Sequence, residues 1–384
     1  MSNFVYVGTF AKGGVGGGIG ICSYDPATGE VRYLKTVRTD IIAGQMFIDR
    51  EKNVLYTVDE RRELKGTNEL GGRVFAFRID PASGDLTEIN HRSTFGTMPA
   101  YLCPDASGQF LLACNHSGLE WVTRVARDAS GKYTMEPVYG ESTLVLYPLA
   151  ADGSIGEACD IRVMPMEGSF TPCLHYIKGS PDGKFFAMTD RNLNRIYFLS
   201  LNDEMKRLEL RSTMQYPCGS THKNGHAPRY GCFHPSKKIF YFNSEYKPML
   251  TTMSYDDDAC LKTLQIQETV PAIEGIEHMK YSQSDLRISA DGRFLYQLYR
   301  DVNCICTFAV DAESGLPTMI QTEKLAGEGP RGMEFSPDGR FLLIANLDTQ
   351  DVTTMAIRAD GTVEAVGERA FGITNPGNMV FFCE

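Results

Sequence analysis

One two-part unit recurs along the whole chain, and a chain built from such units can fold only as an array or a ring of them. In its outer part an alternating strand meets an acidic or Gly-containing turn, and a second strand follows. The copies read GIGICSYDPATGEVRYLKTV from Gly18, GRVFAFRIDPASGDLTEINHRST from Gly72, STLVLYPLAADGSIGEACDIRVM from Ser142 and NRIYFLSLNDEMKRLELRST from Asn194. Further copies start at Met249, Asn303 and Asp351, which makes seven. The inner part places a short run before a tight turn and an apolar strand after it, as in PAYLCPDASGQFLLACNH, TPCLHYIKGSPDGKFFAMTD and GPRGMEFSPDGRFLLIANLD. Turns such as SPDG and SADG suit hairpins because Asp and Gly accept the backbone angles that tight turns require. Apolar residues alternate in short runs, and helical heptads are absent.

Six inner parts are complete and the seventh is split. NPGNMVFFCE ends at Glu384, and NFVYVGTF starts at Asn3. A ring of sheets must join its first and last members, and sharing one sheet between the two ends does this with ladder hydrogen bonds. The expected fold is therefore all-β: a seven-bladed β-propeller of four-stranded antiparallel blades, one domain over residues 1–384, with the terminal strands sharing the last blade. The turn glycines Gly29 and Gly361 are six units apart, about 55 residues per unit. WD40 units are shorter, roughly 40–45 residues, and a single tryptophan with no repeated Trp-Asp pair argues against that scaffold.

The net charge is −10, so no basic stripe is expected for nucleic acid or an anionic membrane. A few arginines in one cavity can still reverse the local potential for a small anion. No run approaches the roughly 18 apolar residues of a membrane span, and MSNFVYVGTF lacks a basic leader region. Eleven cysteines, an odd count held mainly in strand-like segments, fit reduced thiols and a cytoplasmic location. A homo-oligomer is left open.

Strand direction gives the site an address. Inner strand one and its antiparallel neighbour, strand two, bring the start of the first and the end of the second to the same face. Strand-one starts carry His175, Arg229 and Arg331; strand-two ends carry Glu60, His116, Asp190, Glu245, Arg300 and Asn346. The longest insertions, Arg61–Gly71, Ser117–Glu141, Thr221–His226 and Glu274–Ser284, fall on that face too. His175, Arg229, Glu245 and Arg300 together offer what lactone or ester chemistry needs. Arginine binds a carboxylate or phosphate and steadies an oxyanion, while carboxylate and imidazole move protons. Arg331, Asn346, Asp190 and His116 are candidate substrate-binding residues.

Other motifs offer less. GGVGGGIG from Gly13 satisfies neither a dinucleotide nor a Walker A pattern and is read as a mouth loop. His222 and His226, with His234 beyond, sit in a loop next to Pro228 rather than on the helix that His-x3-His zinc sites use. Cys304 and Cys306 share one strand face and read as core. No G-x-S-x-G elbow is present. Neither a cofactor nor a metal is expected.

Several strings resemble the cofactor-independent lactonase family of seven-bladed propellers, whose members include bacterial propeller-type 6-phosphogluconolactonases and fungal carboxy-muconate lactonizing enzymes. YVGTF is similar to the family's first strand, TPCLHYIKGSPDGKFF to its His-containing strand, APRYGCFHP to its G-P-R-H-x-x-F-H-P motif, RISADGRFLYQLYR to its I-x-x-D-G-R-x-L-Y-x-x-x-R motif, and GPRGMEFSPDGRFLLIAN to its P-R-G-[FM] motif. Position by position, the resemblance places the family's proposed active-site residues on His175, Arg229, Glu245 and Arg300. The chain departs at Cys173, where the family has the first His of His-x-His, at Ala227 and Tyr230 in G-P-R-H, at Ser244 before the glutamate, and at Leu347. The resemblance implies hydrolysis of an anionic sugar lactone in carbohydrate metabolism, 6-phosphogluconolactonase-like, with Arg229 and Arg300 on the anion or oxyanion, Glu245 activating water and His175 shuttling a proton. The alternatives are a muconate-type lactonizing isomerase and a non-catalytic propeller that binds a sugar acid or a protein partner.

Overall fold

The computed structural model describes residues 3–10, 17–61, 71–117, 121–167, 170–216, 225–276 and 280–383. Its described residues form seven four-stranded antiparallel sheets and one two-stranded ribbon, with no helix. The innermost strands are Ala43–Asp49, Pro99–Pro104, Leu174–Gly179, Pro228–Phe233, Gln283–Ile288, Pro330–Phe335 and Pro376–Phe382. The last of these pairs with Phe4–Thr9, Phe4 facing Phe382 and Val7 facing Met379, and Phe4–Thr9 pairs in turn with Ile19–Tyr24. The predicted seven-bladed propeller with a blade shared between the chain ends is what forms. The turn glycines behave as the SPDG and SADG sequences require, with Gly183, Gly292 and Gly339 at φ of 72°, 76° and 70°.

Among the described residues there is no single core. Seven apolar clusters fill the seven gaps between neighbouring blades. The period of two along a strand explains this, because alternate side chains leave opposite faces of the sheet. Phe4 and Tyr6 pack into the gap toward Leu55 and Phe75, while Val5 and Val7 pack into the gap toward Leu343 and Val352. A polar tie crosses several gaps at the outer turns. Tyr6, Tyr56, Tyr241 and Tyr296 donate their hydroxyls to the carbonyls of Gly84, Gly153, Gly315 and Gly361 at 2.7–2.9 Å.

The Ser117–Glu141 insertion contains the two-stranded ribbon, Trp121–Arg127 against Tyr133–Tyr139. Residues 11–16, 62–70, 118–120, 221–224 and 277–279, which carry parts of the glycine-rich run and of the insertions, lie outside the described residues.

Deleting residues 376–384 removes the partner of Phe4–Thr9 and takes Met379, Phe381 and Phe382 out of two gaps. The truncated chain is expected to lose the cooperative thermal transition of the full chain in calorimetry; an unchanged transition would contradict closure by this pair of strands.

Candidate active site

Two rings of seven residues face the predicted mouth. The first consists of the second residue of each inner strand: Gly44, Ala100, His175, Arg229, Ser284, Arg331 and Gly377. At this place every inner strand breaks register with its neighbour by one extra residue. A bulge releases a residue from the ladder and re-aims its side chain. The second ring is the residue after each strand two: Phe10, Glu60, His116, Arg191, Glu245, Arg300 and Leu347. All seven donate their backbone N–H to the carbonyl just before the neighbouring inner strand, on Asn375, Ile42, Met98, Cys173, Ala227, Ser282 and Gly329, at 2.8–3.0 Å.

Glu245 is the charge centre. Its Oε2 accepts from Arg191 Nη1 at 2.7 Å, and its Oε1 accepts from Arg300 Nη2 at 2.8 Å with Arg229 Nε at 3.7 Å. Burial alone would raise its pKa, but the charges of Arg191, Arg229 and Arg300 outweigh it and hold the carboxyl well below the usual carboxylate range. Such an anion is a weak base at neutral pH; it gathers arginines. Arg229 is 1% exposed and donates to the Ser284 carbonyl at 2.7 Å. Burial and the neighbouring Arg300 push it down to about 10, which leaves it cationic at neutral pH. Arg300 is the most open of the three, with 21% of its side chain exposed.

His116 and His175 lie ring to ring at 4.7 Å. Burial, reinforced by Arg191 beside His116 and Arg229 beside His175, pushes both well below the ordinary histidine pKa, so both are neutral at pH 7. Both nitrogens of His116, Nδ1 of His175 and the Nε atoms of Arg191, Arg229 and Arg300 have no hydrogen-bond partner among the described residues. Such a set of buried groups without hydrogen bonds is uncommon in a folded interior and marks a place for a polar ligand.

A cavity of about 30 Å³ opens beside them, lined by Phe10, Gly44, Gln45, Glu60, Ala100, His175, Tyr230, Arg331 and Asn378 among others. Arg331 stacks over the Phe10 ring at 3.8 Å. Tyr230 closes the inner side, packed against His175 at 5.4 Å and against Tyr176 at 5.1 Å; Tyr176 in turn meets Tyr101 at 4.3 Å. Tyr101 lines a separate cavity of about 280 Å³ with Lys178 and Arg287, so the three tyrosines stand between the two.

His175, Arg229, Glu245, Arg300, Arg331 and His116 thus converge at one mouth. Asp190 and Asn346, read from the sequence as substrate-binding, do not join them, for they sit one place earlier in register and their side chains are spent inside the blades. Asp190 accepts from the backbone N–H groups of Cys173, Asn192 and Leu193 at 2.9–3.1 Å, and Asn346 donates to Asp351 and Thr353. Arg191 is the residue the sequence reading missed. Aligning the strand-two ends VDE, CNH, TDR, NSE, LYR and ANL puts Arg191 level with Glu60, His116, Glu245 and Arg300. His226 packs on Tyr216 at 4.5 Å and His234 caps a turn through Nδ1, while His222 lies outside the described residues. Cys304 and Cys306 are buried in one inter-blade cluster.

The fold and this mouth define a class: seven-bladed propellers that gather arginines, histidines and a carboxylate from distant blades at one end of the channel. The chain belongs to the lactonase, 7-bladed beta-propeller family, whose model matches residues 4–381. A 6-phosphogluconolactonase of Bacillus subtilis is 25% identical over 354 residues, covering 91% of this chain and 90% of the relative. One of Formosa agariphila is 24% identical, covering 89% of each. The periplasmic gluconolactonase PpgL of Pseudomonas aeruginosa shares the fold with a TM-score of 0.81 at 24% identity, covering 100% of this chain and 99% of that one.

Replacing Glu245 with Gln leaves three arginines facing a neutral side chain and should cost about 3 kcal/mol in urea unfolding at pH 7. The depressed pKa makes this contribution full above the unfolded-state value of about 4.3, and it falls away as the pH drops toward the folded value. The stability gap between wild type and variant should therefore be constant from pH 6 to 8 and narrow below about pH 4.3.

Proposed function

We propose that this protein is a lactonase that hydrolyses an anionic sugar lactone at this mouth, in the manner of a 6-phosphogluconolactonase. The observation that carries the reading is the gathering of Arg191, Arg229 and Arg300 on Glu245 beside a small cavity lined by Arg331 and His175, whose ring lies against that of His116. The names borne by the B. subtilis and F. agariphila relatives support it. Ester cleavage builds negative charge on the carbonyl oxygen, and guanidinium groups held in place by Glu245 meet that charge with little reorganisation. Arg300, the most exposed of the three that meet Glu245, is assigned to the oxyanion or to the substrate's anionic group; Arg229 and Arg191 complete the field. His175, neutral and with a free ring nitrogen, orients the ring oxygen or water. We place the activity in the cytoplasm, in line with ten unpaired cysteines among the described residues. Among those residues, no helix is long and apolar enough to cross a membrane.

The test is hydrolysis of freshly generated 6-phosphoglucono-δ-lactone and of glucono-δ-lactone, with remaining lactone trapped by hydroxylamine. Wild type should exceed the buffer rate, and Arg300→Ala should lower kcat by about 10²–10³-fold. A wild-type rate equal to buffer on both lactones refutes the reading, and cyclisation of a muconate instead would replace it with the isomerase.

A further inference from the structure

We infer that Glu60, rather than Glu245, is the group that takes the proton from water during lactone opening, an assignment that rests on the lactonase reading above. Four observations lead there. Both oxygens of Glu245 are engaged by guanidiniums, as described. Glu60 is the carboxylate that lines the mouth cavity, facing His175, Tyr230 and Arg331 across it. Its backbone is fixed by the N–H bond to the Ile42 carbonyl at 2.9 Å, yet its side chain enters no hydrogen bond or ion pair among the described residues. The floor beneath it is cut to fit: a Cβ on Gly44 would lie 3.1 Å from Glu60 Oε2 and 3.0 Å from Val58, so a larger residue there would press on the carboxylate.

The charged groups around Glu60 favour its anion without pairing to it. Arg331, Arg229 and Arg191 act from three other blades. On its own strand, Asp59 is already bound by Arg61 and Arg73. Gln45 and Asn378 are uncharged and bonded to each other. Burial outweighs the arginines and pushes Glu60 up to about 7, where a carboxylate can both accept and return a proton near neutral pH. The two glutamates of the mouth are thereby separated in role by environment, as paired carboxylates in hydrolases are.

The step balances without any further reagent. A water oxygen bonds to the lactone carbonyl carbon as one water proton passes to Glu60. Collapse of the tetrahedral intermediate breaks the bond from carbonyl carbon to ring oxygen, and Glu60 returns the proton to that oxygen as an alcohol. The new carboxylic acid then loses its own proton to solvent.

The experiment compares wild type with Glu60→Gln over pH 5.5–8.5, after subtraction of the buffer rate. Wild-type kcat/KM should rise with pH with a midpoint near 7, and Glu60→Gln should lose about 10²-fold or more in kcat along with that rise, at little change in KM. A sugar-acid product, 6-phosphogluconate, should bind Glu60→Gln as it binds wild type in calorimetry. Stability supplies a readout independent of activity. A raised carboxyl pKa means the folded chain holds a proton that the unfolded chain releases, so ionised Glu60 costs stability as the pH rises from about 4.3 to about 7. Glu60→Gln should therefore melt higher than wild type at pH 8, by a margin that shrinks at pH 5. An active wild type whose Glu60→Gln variant keeps its rate and pH profile overturns the assignment and leaves the lactonase reading standing. A wild type no faster than buffer on either lactone overturns both.

Discussion

The structure depends on one pairing between the two ends of the chain. Phe4–Thr9 is held between Pro376–Phe382 and Ile19–Tyr24, and its alternate side chains feed two different gaps. Since every apolar cluster lies between two blades, no blade buries its faces alone, and each gap is complete only when the ring is. Such closure converts seven small sheets, each too thin to be stable by itself, into one cooperative body. It also fixes the radius at which the inner strands stand, and with it the distance between side chains that arrive at the mouth from opposite blades.

On that frame electrostatics do the rest. Arginines brought together by the ring would repel one another, and Glu245 is the counter-charge that lets three of them share a small volume. The residual positive field suits an anion. The neutral state of His116 and His175 follows from the same crowding, because further cations there would be both desolvated and repelled. Tyr230 contributes bulk where the related motif has a histidine, and with Tyr176 and Tyr101 it stands between the mouth and the cavity beyond.

Much of this was legible in the sequence. Repeat spacing, turn chemistry and the split seventh unit carry the fold, because each is local and recurs seven times. Strand direction was enough to bring His175, Arg229, Glu245, Arg300, Arg331 and His116 to one end. It failed by a single residue at Asp190 and Asn346, since direction locates a strand end but not which of two consecutive side chains leaves the sheet. That choice is made by the backbone bond that pins the second ring and by the bulge that sets the first, and neither has a composition of its own. The ionisation of Glu245 and Glu60 was equally hidden: both are glutamates at equivalent strand ends with three guanidiniums acting on each, and only the direct ion pairs to Glu245 tell them apart. The ribbon in the second blade was visible as an insertion, not as a hairpin.

The bulges have a wider consequence. A residue that has left the ladder makes no register contact, so its identity is decoupled from the hydrogen bonding that holds its blade. Gly44, Ala100, Ser284 and Gly377 occupy the same kind of place as His175, Arg229 and Arg331, and the small ones are what give the large ones room. The propeller thus works like a type-case with interchangeable slots: a new ligand can be spelled by trading side chains among equivalent positions around the rim, while the gaps between blades, where folding is decided, keep their letters.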